Sequence, residues 1–274
     1  SSAGMTELFG GGNSYSFSDW DTSLGEHSPK MAVVIPKAIN LFDRQSDEYA
    51  DARPNYPSSL WEKIFAAVSD RDLALDVGCG SGQATLQLAS LDEFTKIFAM
   101  DSSDMQIGNA RKRASKAGFT KAKTLSFHVC QAEDLLSLAT VNSVDLITVA
   151  TAIHWFSHDQ FFAAVRKVLK PRGTLAFWTY RFPELPTPAL NEALSHFHSV
   201  TLREYWHDKI NHIEDAYTRQ DLPFEQVDRS VEEMTVVGPE VIIRFAATWS
   251  AYQTYLDTNP GMDCLPEFAE KYVW

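Results

Sequence analysis

The stretch LALDVGCGSG, residues 73–82, constrains this chain more than any other. Leu73, Ala74, Leu75 and Val77 make an apolar run suited to a buried parallel strand, interrupted by Asp76 and followed by Gly78, Gly80 and Gly82. Glycines so spaced let the backbone turn sharply, and let a ligand approach the main chain where a Cβ would otherwise stand. ATLQLASL follows with helical composition, so strand, glycine turn and helix are predicted in the order a nucleotide-type ligand requires. The next apolar run, KIFAMD, closes on Asp101 about twenty residues on, where an acid at a strand tip can accept both hydroxyls of a ribose.

Composition narrows the classes around that core. The 274 residues suffice for one α/β domain with insertions. With 36 acids against 24 bases the net charge is -12, and no Lys/Arg block stands out, so nucleic acid is an unexpected partner and a small-molecule substrate the expected one. Cys79, Cys130 and Cys264 lack metal-site spacing, which predicts neither a disulfide framework nor a metal, and suits a reducing, cytoplasmic setting. No apolar run reaches the roughly 18 residues of a membrane span, so no membrane partner is expected.

Residues 1–35, with Gly10 to Gly12 and scattered Ser and Asp, read as a flexible N-terminal arm, and 36–274 as a single domain. Within it, 36–70 is an N-terminal cap, 71–180 a cofactor-binding core, 181–230 a substrate cap insertion and 231–274 a C-terminal strand and helix. Helices are predicted over 38–50, 60–68, 104–117, from Asp159 to 170, and over 241–255; a longer helix-like stretch covers 189–217. Further strands are predicted over 125–129, 145–150, 174–178 and 231–237.

DVGCGSG with the following MDSS resembles the first two motifs of the class I S-adenosylmethionine-dependent methyltransferases. A dinucleotide site spaces its glycines G-x-G-x-x-G to set a helix N-terminus on a pyrophosphate; here they run G-x-G-x-G, and adenosylmethionine carries no pyrophosphate. FDRQSDEYADARPNYP, LKPRGTLAFW, the HWF of TAIHWF and ATWSAYQTY are similar to the trans-aconitate methyltransferase-like and plant embryo-abundant-protein-like branch. The resemblance implies a Rossmann-like doubly wound α/β sheet with helical cap insertions and S-adenosyl-L-methionine as cofactor. It also implies a cofactor site of Tyr49, Arg53, Asp76, Gly78, Cys79, Gly80, Gly82, Gln83, Asp101, Ser102, Met105, Gln131, Ala132, Glu133, Ala150 and Thr151. Tyr49, Arg53 and Tyr56 would form an aromatic lid with one cation for the cofactor's carboxylate. Either Gln131 or Glu133 would take the adenine's exocyclic amine, and Met105 would flank the ring or be core. His154 and Trp155 would line the methyl-transfer pocket.

Methyl transfer from a sulfonium is an in-line displacement that needs positioning more than covalent help. The resemblance points to O-methylation of a small carboxylic acid, an acceptor already ionised at neutral pH. An amine or thiol acceptor would instead make use of His154 as a base. A catalytically silent cofactor-binding protein is the alternative from another class. The family closes its sheet with an antiparallel seventh strand, yet Pro260, Gly261 and Pro266 interrupt the residues after 255, so no complete seventh strand is expected there. The sheet would then lack a full seventh strand, and its open edge would be covered by the N-terminal arm, by a partner subunit or by residues outside this sequence, in a monomer or homodimer.

Overall fold

A computed structural model describes residues 30–37, 55–119, 125–179, 183, 185–208, 222, 224, 226–233 and 239–270. The apolar runs become parallel strands: β1 Lys30–Lys37, β2 Leu73–Val77, β3 Lys96–Asp101, β4 Leu125–Val129, β5 Val144–Ala150, β6 Leu169–Trp178 and β7 Gln226–Glu233. Their order in the sheet is β4-β3-β2-β5-β6-β1-β7. The chain steps outward from β2 to β4, then returns to the other side of β2 as β5, so the direction of winding reverses between β2 and β5. Ligands of such sheets sit at the carboxyl ends of the strands flanking that reversal.

Side chains alternate across the strands with period two, and the two faces bury two different sets. Leu75, Val77, Ile147, Val149 and Phe177 pack against Phe161, Val165 and Val168 of α4, His158–Val168. Ala74, Leu146, Ala176 and Trp178 pack on the opposite face against Leu60, Trp61 and Ile64 of α1, Ser58–Ala66, and Ala84 and Leu88 of α2, Gln83–Ser90. Each large side chain so buried stabilises by about 1.5–3 kcal/mol. At the opposite end of the sheet, Asp145 accepts the N–H groups of Asp72 and Leu73, and Lys170 lies 2.8 Å from both Asp72 and Asp145. That ion pair fixes the start of β2 relative to β5 and β6.

Two corrections concern the sheet's far edge. The arm expected to be loose through residue 35 contains β1, which pairs in parallel with both β6 and β7. KMAVVIPK is a run of β-branched and apolar residues long enough for a strand, a signal masked by the Gly and Ser around it. The sheet is therefore not short of a strand: β1 stands beside β6, while the described residues after 255 form no strand, ending α7 Ser250–Thr258 and forming α8 Leu265–Glu270. The N-terminal segment does stand on that side, between β6 and β7, and the outermost strand is β7. The strand expected over 231–237 begins five residues earlier, at Gln226.

Beyond β6 lies a second, helical core. Of the long stretch expected over 189–217, residues 209–217 lie outside the described residues and the part before them breaks up: α5, Pro188–His196, runs into a π-helical turn at Phe197–Thr201 and a 3-10 turn at Arg203–Tyr205. The helix expected over 241–255 is two, α6 Pro239–Ala247 and α7, because Trp249 takes an extended backbone and drops into the core. Leu194, Phe197, Leu202, Trp249, Tyr252 and Phe268 make that core, with the Phe197 and Phe268 rings stacked at 4.3 Å. His198 is buried there against Trp206, and desolvation pushes its imidazole down to about 4. It is therefore a neutral packing residue at physiological pH.

Candidate active site at the carboxyl edge of the sheet

The glycine turn is built as its composition requires. Gly78, at φ +67°, has no room for a Cβ, which would stand 2.7 Å from the Ala152 methyl and 3.0 Å from the Phe156 ring. The turn after β2 and the loop after β5 are thus packed directly on one another. Gly80, at φ +54°, faces open space instead, and Gly82 begins α2 with no side-chain cap on its first amides. Asp101 closes over the turn: one carboxylate oxygen accepts the Gly80 N–H and the other the Ser103 N–H, each at 2.9 Å. Arg113 of α3, Asp104–Lys116, donates to the Ser81 carbonyl at 2.8 Å and bolts that helix to the turn. No local pattern in the sequence marks Phe156 or Arg113 for these roles, since both depend on contacts between distant segments.

Three expected cofactor contacts take other positions. Asp76 is 0% exposed, with its carboxylate accepting the hydroxyls of Thr85 from α2 and Thr148 from β5. It braces the underside of the turn and offers nothing to a ligand above it. The Cys79 thiol is buried against Ala99, Ile107 and Phe127, and desolvation pushes its titration upward, so only its backbone borders the site. Glu133 accepts the Ser157 N–H at 2.6 Å and holds the loop before α4. Tyr56, expected in a lid, is a core residue: its ring meets Trp178 edge-on at 5.2 Å, and its backbone makes two bonds to the Gln87 amide. Tyr49, Arg53 and the helix expected over 38–50 lie outside the described residues.

Other expected residues stand at the same edge of the sheet. A cavity of about 500 Å³ opens beside the tips of β3 and β4, lined by Ser102, Val129, Cys130, Gln131, Glu133, Asp134, Leu136 and Ser137. Val129 and Leu136 are half-exposed apolar walls, and Gln131 has no side-chain partner among the described residues. With Glu133 engaged by Ser157, Gln131 is the better placed of the two to meet a polar ligand edge. Met105, 70% exposed at the start of α3, is not a core residue, whereas Ala132 is buried. Gln83 begins α2, and Ala150 ends β5 in register with Trp178. Thr151 follows at φ +54°, a rare conformation for a β-branched residue. His154, 3% exposed in the 3-10 turn Ile153–Trp155, lies 5.0 Å from the Trp155 ring; Trp155 is 45% exposed and meets His207 of the cap at 5.2 Å.

Asp76 gives the site a pH signature. Burial is the largest influence on it and pushes its carboxyl up to about 6 from 3.8, against the opposing pull of the Thr85 and Thr148 hydroxyls. A raised folded value means that the folded state keeps its proton where the unfolded chain has lost it, so stability falls as pH rises through that window. Relative to Asp76→Asn, the wild-type chain should lose about 3 kcal/mol between pH ~4 and pH ~7. Urea unfolding of both proteins across that range checks it, and a pH-independent difference would show that Asp76 titrates normally.

Among the described residues, no group of His, Cys, Asp and Glu could hold a metal, and no helix is long and apolar enough to cross a membrane. A family model described as a methyltransferase domain matches residues 75–177, from β2 to the end of β6. A Dictyostelium discoideum protein named as a methyltransferase is 30% identical over 249 residues, 88% of this chain and 89% of its own length. A Saccharomyces cerevisiae protein named as an S-adenosylmethionine-dependent methyltransferase is 26% identical over 263 residues, 84% and 86% of the two chains. Among solved structures, one from Anaeromyxobacter dehalogenans named as a type II methyltransferase superposes with a TM-score of 0.61 at 28% identity, covering 80% of this chain and 88% of that one.

Proposed function

The chain belongs to the class I S-adenosylmethionine-dependent methyltransferases, and from that premise we propose that it methylates an oxygen of a small carboxylic acid. Its cofactor is S-adenosylmethionine, which supplies an electrophilic methyl on a sulfonium. The residues present fit that molecule: the space above Gly80 is the cradle a Cβ would enter, Asp101 has lone pairs left for ribose hydroxyls, and the cavity beside Gln131 has apolar walls for a purine. The uncapped amides of α2 suit the cofactor's carboxylate.

The observation that carries the choice of acceptor is how the acids at this edge are used. Asp76 is closed off by two threonines, Glu133 holds the Ser157 amide, Asp101 is assigned to the ribose and Asp134 lines the cavity assigned to the purine, so none of these four is the acceptor's base. A carboxylate acceptor needs none, because it is ionised already. The chain's residues then orient the acceptor and exclude water, with His154 and Trp155 as walls of the pocket. Two relatives support this reading and the trans-aconitate-type branch. A malonyl-[acyl-carrier protein] O-methyltransferase of a Methylovorus strain is 30% identical over 159 residues, 54% of this chain and 52% of its own. A trans-aconitate 2-methyltransferase of an Acidovorax strain is 25% identical over 142 residues, 52% and 48% of the two.

Incubation with labelled adenosylmethionine and pooled small acids, amines and thiols should yield an alkali-labile methyl ester; an alkali-stable product would overturn the proposal. In the same assay, His154→Gln should leave the pH-rate profile flat above pH ~6, since no base is being titrated. A steep alkaline limb lost with the histidine would point to an amine or thiol.

A further inference from the structure

The described residues leave three buried side-chain polar atoms without a hydrogen-bond partner: Nε1 of Trp61, Nε1 of Trp178 and Oγ1 of Thr151. Folded proteins pair nearly all such groups, so each orphan needs a reason. The residues that carry them are neighbours. The Trp61 and Trp178 rings lie 5.6 Å apart, edge to face, and the Thr151 N–H donates to the Trp178 carbonyl at 2.8 Å. All stand at or under the carboxyl ends of β5 and β6, a few residues before His154 and Trp155 in the case of Thr151. Thr151 also holds its left-handed backbone there, and strain in a β-branched residue persists where function or packing over-determines it.

We propose that Trp61, Trp178 and Thr151 form a carboxylate-binding subsite for the methyl acceptor; this rests on the carboxylate reading above. The chemistry of the orphans selects the ligand. An indole N–H can only donate, so neither tryptophan nitrogen can accept from the other, and an ammonium ligand, itself only a donor, would leave both unpaired. A thiol accepts weakly. A carboxylate brings two oxygens and about four lone-pair sites, enough for two indoles and a hydroxyl. Trp178 is 0% exposed and flanked by Tyr56, whereas Thr151 is partly exposed, so the acceptor enters past Thr151 with the indoles as the floor.

Indole N–H resonances of the isotope-labelled full chain, saturated with S-adenosylhomocysteine and assigned through Trp61→Phe and Trp178→Phe, report on this directly. Titration with phenylpropionate and with trans-aconitate should move both resonances downfield to saturation, and phenylpropylamine of matched size should not. Trp178→Phe should raise the half-saturating acid concentration about tenfold, as expected for one hydrogen bond to a charged group, while S-adenosylhomocysteine binds as before. Indoles unmoved by either acid would overturn the subsite and leave the donors to buried water; movement complete on adding S-adenosylhomocysteine alone would overturn it by assigning them to the cofactor. An ester product with unmoved indoles removes the subsite and keeps the function. An amine or thiol product with indoles that answer the acids does the reverse.

Discussion

Gly78→Ala should lower the stability of this protein by about 2–5 kcal/mol, whereas Gly80→Ala, two residues on, should cost about 1–2 kcal/mol and act on cofactor binding instead. Both residues sit at positive φ, so both substitutions incur the left-handed backbone penalty. They differ in what a methyl group meets. At Gly78 it collides with Ala152 and Phe156, the two residues that seat the loop after β5 on the turn after β2, and relief would require that loop to lift. At Gly80 it meets nothing within 4 Å of the protein and stands in the space reserved for the ligand. Denaturant unfolding paired with calorimetric titration of S-adenosylhomocysteine separates the two, with at least a tenfold loss of affinity expected for Gly80→Ala. Equal losses of stability, or undiminished affinity in Gly80→Ala, would sink the account of the turn.

Asp101→Ala should weaken adenosylmethionine binding by about 2–4 kcal/mol, the value of a pair of charge-assisted hydrogen bonds. Its carboxylate spends one lone pair on the Gly80 amide and one on the Ser103 amide, leaving roughly two more for a ribose. The substitution therefore removes a ligand contact and loosens the turn that holds the rest of the site. Asp101→Asn, which keeps one acceptor oxygen, should lose less. Calorimetry with both variants is decisive: an affinity unchanged in Asp101→Ala would take this acid out of the site.

Much of the site was legible before any coordinates. The run from Leu73 to Val77, the three glycines and Asp101 make one local program, in which strand, turn, helix and acid each follow from neighbours in sequence. The strands 125–129 and 145–150, the helix after Ser103 and the helix after Ser157 were readable for the same reason, as periodic apolar patterns bounded by capping or turn residues. The positions of Gly78, Gly80, Asp101, Ser102 and Gln131 at one edge then follow from the parallel order of the sheet.

What local pattern could not supply was the choice among distant partners. Asp76 reads as an acid at a strand end, and only the register that sets it opposite Thr148, with Thr85 above, turns it from a ligand contact into a buried brace. Glu133 and Gln131 look interchangeable until the loop before α4 brings the Ser157 amide to one of them. Residues 30–37 carry a strand's composition, but nothing in them says that they will stand between β6 and β7, a pairing across more than a hundred residues on either side. The sequence by itself determined which segments are strands and helices and where the backbone must turn, because those depend on side chains a few residues apart. The tertiary structure alone decided which polar groups are spent on the fold and which are left for a ligand, because desolvation and hydrogen-bond pairing depend on what the rest of the chain places within about 3 Å of each atom.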